Sequence, residues 1–219
     1  MKKSSFPSYL IGLIAISAMV AGVWLGYRTQ SDSQLQPPQI QGVILPEPKP
    51  LTGIQLHNHD GEALTENSLR GQWSIIFVGY THCPDVCPTT LSVLTQMHSL
   101  MSEQDITPPQ VVFISIDPER DNADLLKEYV KYFNTEFIGA TGDKNQLTSV
   151  AQQLNVVYTK VPGTSGDLAG SDYLMDHSST LLLINPNGYL QSYLTAPHTP
   201  MKIIESILFS QEYFKEIAN

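Results

Sequence analysis

The chain has 219 residues, enough for one good-sized domain plus an appendage, and 42% of them are hydrophobic and 15% charged. The net charge is −9, and the remainder is more negative still once residues 1–28, with Lys2, Lys3, Arg28 and no acid, are set aside. A domain this acidic argues against nucleic-acid binding and suits cationic partners or metal ions.

The appendage is N-terminal. Residues 1–7 carry Lys2 and Lys3, and the run from Ser8 to Tyr27 is apolar and free of charge, long enough to cross a bilayer as a helix. The positive-inside rule keeps residues 1–7 in the cytosol, and Trp24 and Tyr27 sit where interfacial aromatics belong. A cleaved signal peptide is the competing reading. The run lacks a convincing small-x-small cleavage site, which favours an uncleaved anchor over residues 8–27. The expected location is therefore a bacterial cytoplasmic (inner) membrane, crossed once, with the C-terminal domain in the periplasm. Residues 28–50 contain Pro37, Pro38, Pro46, Pro48 and Pro50 and read as a semi-extended tether. The domain proper is expected over residues 51–219.

Within it, Ile54 to His57 predicts a short strand and Asp60-Gly61 a turn. Trp73 to Tyr80 is apolar on both parities, as in a strand covered on both faces. Leu91, Leu94, Met97, His98 and Met101 recur at helical spacing, Val111 to Ile116 is a second buried strand, and Leu125, Leu126, Tyr129, Val130 and Phe133 stripe a helix that Asp121 could cap. A short strand at Phe137 to Ala140 and a helix at Gln146 to Leu154 follow. Residues 158–175 read as a glycine-rich excursion with Pro162, Gly163, Gly166 and Gly170. Thr180 to Ile184, the turn Asn185-Pro186-Asn187-Gly188 and Tyr189 to Leu194 predict a β-hairpin. Met201 to Ile217 closes the chain as a helix with Ile203, Ile204, Ile207, Leu208, Phe214 and Ile217 inward. Strand, cysteine pair, helix, strand, helix, insertion, hairpin, helix is the order of an α/β domain of thioredoxin type.

The chain's only two cysteines, Cys83 and Cys87, stand at the first strand-to-helix junction. A disulfide between them would close too small a loop to matter as a staple, so the pair is read as chemical. Thioredoxin catalysts use Cys-x-x-Cys, one residue fewer. Pro88 disfavours a regular helix across Cys87, which predicts a distorted turn over residues 84–87 and a main helix from about Pro88. Both sulfurs then lie near a helix N-terminus, where thiolate is favoured. Such a pair can pinch a metal or close to a redox disulfide. A third ligand is sought among the six histidines, and His177 is chosen because it precedes the Leu181–Ile184 strand, where thioredoxins carry a cis-proline facing the cysteines. Two thiolates and an imidazole suit copper, whereas structural zinc would want a fourth ligand.

Gly79-Tyr80-Thr81-His82-Cys83-Pro84-Asp85-Val86-Cys87-Pro88, Asp117-Pro118-Glu119-Arg120-Asp121 and Tyr173-Leu174-Met175-Asp176-His177-Ser178 together resemble the Sco/SenC/PrrC family of membrane-anchored copper chaperones. The resemblance covers essentially residues 51–219, departing at Val78, where an aromatic is common, and loosely in the first strand. It implies copper bound by Cys83, Cys87 and His177 and delivered to the dinuclear copper centre of a cytochrome c oxidase subunit. Other periplasmic copper chaperones or thiol reductases are possible further partners. The same Cys83–Cys87 pair also permits thiol–disulfide exchange that keeps partner cysteines reduced, or redox sensing.

Among neighbouring residues, Asp117 to Asp121 reads as a docking face, a carboxylate cluster around the ligands, or a strand end with a helix cap. Asp85 could tune the cysteines, or simply pair with the helix dipole. His82 points away from Cys83 by strand alternation, His57 and His59 share one strand face, Met97 and Met101 belong to the core, and Met175 could assist copper entry.

Overall fold

The computed structural model describes residues 8–30, 40–163 and 172–217. The expected cytosolic segment 1–7, residues 31–39 of the tether, and Gly166 and Gly170 of the excursion lie outside them. The chain divides into two units, residues 1–36 and 37–219. The first contains α1 (Ser8–Gln30). Among the described residues no helix is long and apolar enough to cross a membrane.

The second unit contains an eight-stranded sheet. Its strands are β1 (Gly42–Pro50), β2 (Leu56–Asn58), β3 (Ala63–Leu64), β4 (Ser74–Gly79), β5 (Gln110–Ser115), β6 (Ile138–Thr141), β9 (Leu181–Ile184) and β10 (Tyr189–Leu194), in the order β1-β10-β9-β4-β5-β6-β2-β3. A separate two-stranded ribbon pairs β7 (Tyr158–Pro162) with β8 (Tyr173–His177). The helices are α2 (Val86–Glu103), α3 (Ala123–Phe133), α4 (Lys144–Gln153) and α5 (Pro200–Ile217). Strands β4, β5 and β6 run parallel through right-sized helical crossovers, and β9 returns antiparallel against β4.

The central strands are apolar on both parities because both faces are covered. On one face Ile75, Phe77, Val111, Phe113, Leu181 and Leu183 meet Leu91, Leu94, Met97 and Met101 of α2, Leu126 and Val130 of α3, and Ile203, Ile204 and Ile207 of α5. On the other, Ile76, Val78, Val112, Ile114, Leu182 and Ile184 meet Leu147, Val150 and Ala151 of α4 and the segment from Leu51 to Leu69. Leu208, expected inward, is 39% exposed. It lies one step past the buried stripe of α5. Trp73 closes the end of the same helix, its ring edge-on to Phe214 at 5.5 Å.

Two expectations about the domain's limits change. The proline-rich stretch expected to be tether forms β1, which pairs with β10 from Gly42↔Leu194 to Pro50↔Tyr189. Proline cannot donate to a ladder, so such a strand belongs at a sheet edge, and β1 is an edge strand whose register is irregular between Ile44 and Lys49, around Pro46 and Pro48. The excursion is also more ordered than its glycines suggest, since its two ends pair as the β7–β8 ribbon in register Tyr158↔His177 to Pro162↔Tyr173.

Candidate metal centre

β4 is buried along its whole length and ends at Gly79, which delivers Tyr80 and the cysteine loop to one end of the sheet. The Cys83 N–H returns to the Tyr80 carbonyl at 3.3 Å, forming a tight turn. α2 then starts at Val86, earlier than expected from Pro88. The physical reason is positional: Pro88 occupies the third helical residue, where an N–H has no intrahelical acceptor to lose. Asp85 stands at the N-cap but makes no capping bond. The sulfur of Cys83 accepts one instead, from the N–H of Cys87 at 3.4 Å. Cys87 is fully buried and Cys83 half-exposed, and both are free thiols.

His177 is the last residue of β8. Its Nδ1 lies 3.0 Å from the Ser178 carbonyl oxygen, which can only accept, so the ring proton sits on Nδ1. The Nε2 lone pair therefore faces the Cys87 sulfur at 3.5 Å. A ligating histidine in proteins is held this way, its second nitrogen donating to a carbonyl. The ring is wedged between aromatic walls, edge-on to Tyr80 at 5.9 Å and tilted against Phe77 at 6.4 Å. His198 braces the following loop, with its Nε2 2.8 Å from the Ser179 carbonyl.

The ligand atoms of Cys83, Cys87 and His177 all lie within 4.8 Å of one another. Metal–ligand bonds of about 2.0–2.3 Å in a three-coordinate plane need ligand atoms roughly 3.5–4 Å apart, so a small contraction suffices. The two thiols divide the labour. Cys83 is held down to about 3, first by the Cys87 thiol donating to it and also by the N–H groups of Cys87 and Asp85, against the opposing effect of burial. Cys87 is pushed up, because its proton is committed to Cys83 and its sulfur is desolvated beside a thiolate. The pair therefore carries one proton: a half-exposed thiolate outside, a buried thiol inside.

The three residues singled out from sequence thus converge, and the others do not join them. His82 is exposed and turns to Thr81 Oγ1 at 3.0 Å and Asp121 at 3.5 Å. His57 is exposed while His59 is buried with its Nδ1 accepting the Gly139 N–H at 2.9 Å, so the two do not form a site. Met97 and Met101 are core. Met175 is half-buried and packs against both cores.

Asp121 is corrected most. Asn122 caps α3 by accepting the Leu125 N–H at 2.9 Å. Asp121 is buried at 1% exposure and accepts from the Thr81 N–H at 2.8 Å, Thr81 Oγ1 at 2.5 Å and Ser115 Oγ at 2.5 Å. Asp117 is also buried, accepting from Arg120 Nε at 2.5 Å and the Tyr173 hydroxyl at 2.7 Å. The Arg120 guanidinium also donates to the Tyr173 carbonyl at 3.0 Å and lies 3.6 Å from that ring's centroid. Two further residues escaped sequence reasoning. A Cβ on Gly79 would meet Cys87 Sγ at 2.6 Å and Phe113 at 2.7 Å, so the sulfur is seated directly on the glycine. Tyr80 is buried and its hydroxyl bonds the Met175 backbone. Their only sequence signal was adjacency to the cysteines.

Comparison with known proteins gives a consistent answer. A SCO2-like protein of Rickettsia felis is 34% identical over 202 residues, covering 90% of this chain and 96% of that one. The copper-bound structure of ScoI from Arabidopsis thaliana superposes with a TM-score of 0.67 at 32% identity, covering 78% of this chain and 98% of that chain. Copper-bound yeast Sco1 gives 0.63 at 32% identity, covering 73% and 87%. The fold is the mixed α/β, thioredoxin-like fold of these neighbours. The SCO1/SenC family model matches residues 51–209. The chain therefore belongs to the SCO1/SenC family.

Proposed function

We propose that the protein is a copper chaperone that binds one copper ion through Cys83, Cys87 and His177. The observation carrying this reading is the convergence of two sulfurs and one unprotonated imidazole nitrogen within 4.8 Å, in a family with copper-bound members. Thiolate and imidazole donors suit copper, and Cu(I) accepts three ligands without a fourth. Half-exposed Cys83 leaves one side of the site open to a partner, while Cys87 and His177 hold the ion from within. The proposed recipient is the dinuclear copper centre of a cytochrome c oxidase subunit, as the family resemblance implies. The charge-free run from Ser8 to Tyr27 supports a membrane anchor, with the domain in the periplasm of a bacterial cell. Copper loading of the purified protein is the test: one equivalent is expected, with marked loss in His177→Ala and abolition in Cys83→Ser or Cys87→Ser. Undiminished binding by His177→Ala would refute the three-ligand site.

The division of the thiols favours a second, compatible activity. Thiolate Cys83 would attack a partner disulfide, forming a mixed disulfide and expelling one partner thiolate. Cys87, on losing its proton, would then displace the other, leaving a Cys83–Cys87 disulfide and a reduced partner. Accumulation of the mixed disulfide in Cys87→Ser but not in Cys83→Ser tests the order.

A further inference from the structure

The metal-binding groups arrive on two elements that are not neighbours in the main sheet. Cys83 and Cys87 sit on the β4–α2 loop, and His177 ends the separate β7–β8 ribbon. Resting on the copper reading above, we propose that the five-residue turn Asp117 to Asp121 sets the distance between them, gripping the cysteine loop with one end and the histidine strand with the other.

The two grips are chemically distinct. Asp121 fixes the cysteine side: its carboxylate accepts both the backbone N–H and the hydroxyl of Thr81, two residues before Cys83, and is anchored to β5 by Ser115. Asp117 and Arg120 fix the histidine side. Asp117 accepts the Tyr173 hydroxyl, Arg120 donates to the Tyr173 carbonyl, and the guanidinium packs on the Tyr173 ring. Lys160, on the partner strand β7, approaches the same ring at 3.5 Å and reaches Glu119 of the turn at 3.2 Å. Tyr173 and His177 are on the same face of β8, because a strand repeats every two residues. A shift of Tyr173 is therefore passed to the imidazole.

The grips are joined rigidly. The Asp121 N–H donates to the Asp117 carbonyl at 2.9 Å, and Arg120 to the same oxygen at 3.1 Å, closing the turn on itself. Moving either end moves the other. None of these residues touches the metal position, so all act through Cys83, Cys87 or His177.

A double-mutant cycle on the full-length protein in detergent separates positioning from general support. Cu(I) affinity is read by competition with a chromophoric chelator. Arg120→Lys keeps the charge and loses the planar fork, Tyr173→Phe keeps the ring and loses one hydroxyl, and Asp121→Asn keeps the shape and loses acceptor strength. Groups that orient a ligand typically contribute 10- to 100-fold in metal affinity. We expect losses of about that size for Arg120→Lys and Tyr173→Phe in the otherwise unaltered protein, and almost none in a His177→Ala background. Asp121→Asn is expected to cost affinity in both backgrounds. Nitrogen coupling in the EPR spectrum of the Cu(II)-loaded protein should be disturbed more by Arg120→Lys, which loosens the histidine grip directly, than by Asp121→Asn, which reaches the imidazole only through the turn. Equal losses from Arg120→Lys and Tyr173→Phe with and without His177 would overturn the proposal while leaving the copper reading intact. If the unaltered protein takes up no copper, or loses no affinity on His177→Ala, both fall. Should Arg120→Lys not fold, Tyr173→Phe decides alone.

Discussion

The N–H of Cys87 points at the sulfur of Cys83 from the first turn of α2, 3.4 Å away. A cysteine sulfur here does what a serine or aspartate oxygen does at other helix starts, and it does so best as an anion. Cys83, held down to about 3, is thiolate throughout the neutral range, whereas Cys87 is held protonated. Iodoacetamide should therefore modify Cys83 first, at a rate nearly independent of pH between about 5 and 8, and mass spectrometry should find Cys87 unmodified in the singly alkylated protein. The stability linkage has a definite sign. A thiol whose folded value lies below its unfolded one contributes stability that is present above the unfolded value and fades as pH falls toward the folded value. Urea titrations between pH 5 and 8 should show metal-free protein gaining more stability with rising pH than Cys83→Ser. A Cys83→Ser slope equal to that of the unaltered protein would remove the thiolate assignment.

Gly79 is a packing requirement of the site. A methyl there would overlap Cys87 Sγ and the Phe113 ring, both buried. Gly79→Ala is expected to cost about 1–3 kcal/mol, as overpacked cores do, and to weaken copper binding by pushing the sulfur outward. Denaturant unfolding and chelator competition measure the two effects. A variant with normal stability and affinity would show that Cys87 can move without penalty.

β1 makes the domain longer than its apolar core suggests. A chain starting at residue 51 loses Ile44, which is 2% exposed, and leaves β10 as an unpaired edge. Such an edge recruits other chains. The chain from residue 51 should unfold at lower denaturant and aggregate on concentration, whereas one from residue 37 should remain monomeric by light scattering. Equal behaviour of the two would make β1 dispensable.

Tyr80→Phe removes a hydroxyl that bonds the Met175 backbone in a buried setting. The expected loss of stability is about 1 kcal/mol, typical of one buried hydrogen bond. Copper affinity should fall modestly, since Met175 and His177 share a strand face. Thermal melts of metal-free and copper-loaded protein distinguish the two contributions.

Much of this was legible from local chemistry. The buried strands declared themselves by apolar runs on both parities, and Asn185 to Gly188 by its turn residues, with Gly188 at φ 80° in the place that requires it. Cys83, Cys87 and His177 were found because soft donors are rare and because His177 precedes β9. What escaped depends on pairing. Nothing in Pro46, Pro48 and Pro50 distinguishes an edge strand from a tether until β10 is there to pair with. Asp121 looked like a helix cap because it stands one residue from Asn122, and its true partners, Thr81 and Ser115, belong to two other strand ends. Pro88 looked like a helix breaker, since its tolerated place as third residue is visible only once Val86 is known to start the helix.

Cys87 and His177 meet across a sequence separation of 90 residues. An ion shared between them ties the ribbon to the β4–α2 loop as a removable cross-link of the folded chain, and its binding energy becomes folding energy because the site exists only there. A ligand bound only by the folded form adds about 2.7 kcal/mol when present at a hundred times its dissociation constant. Cargo and scaffold are then coupled: a laden domain resists proteolysis and heat better than an empty one. Whatever removes the ion must supply that difference from its own affinity, so delivery runs toward the tighter site and leaves behind a chain more easily cleared.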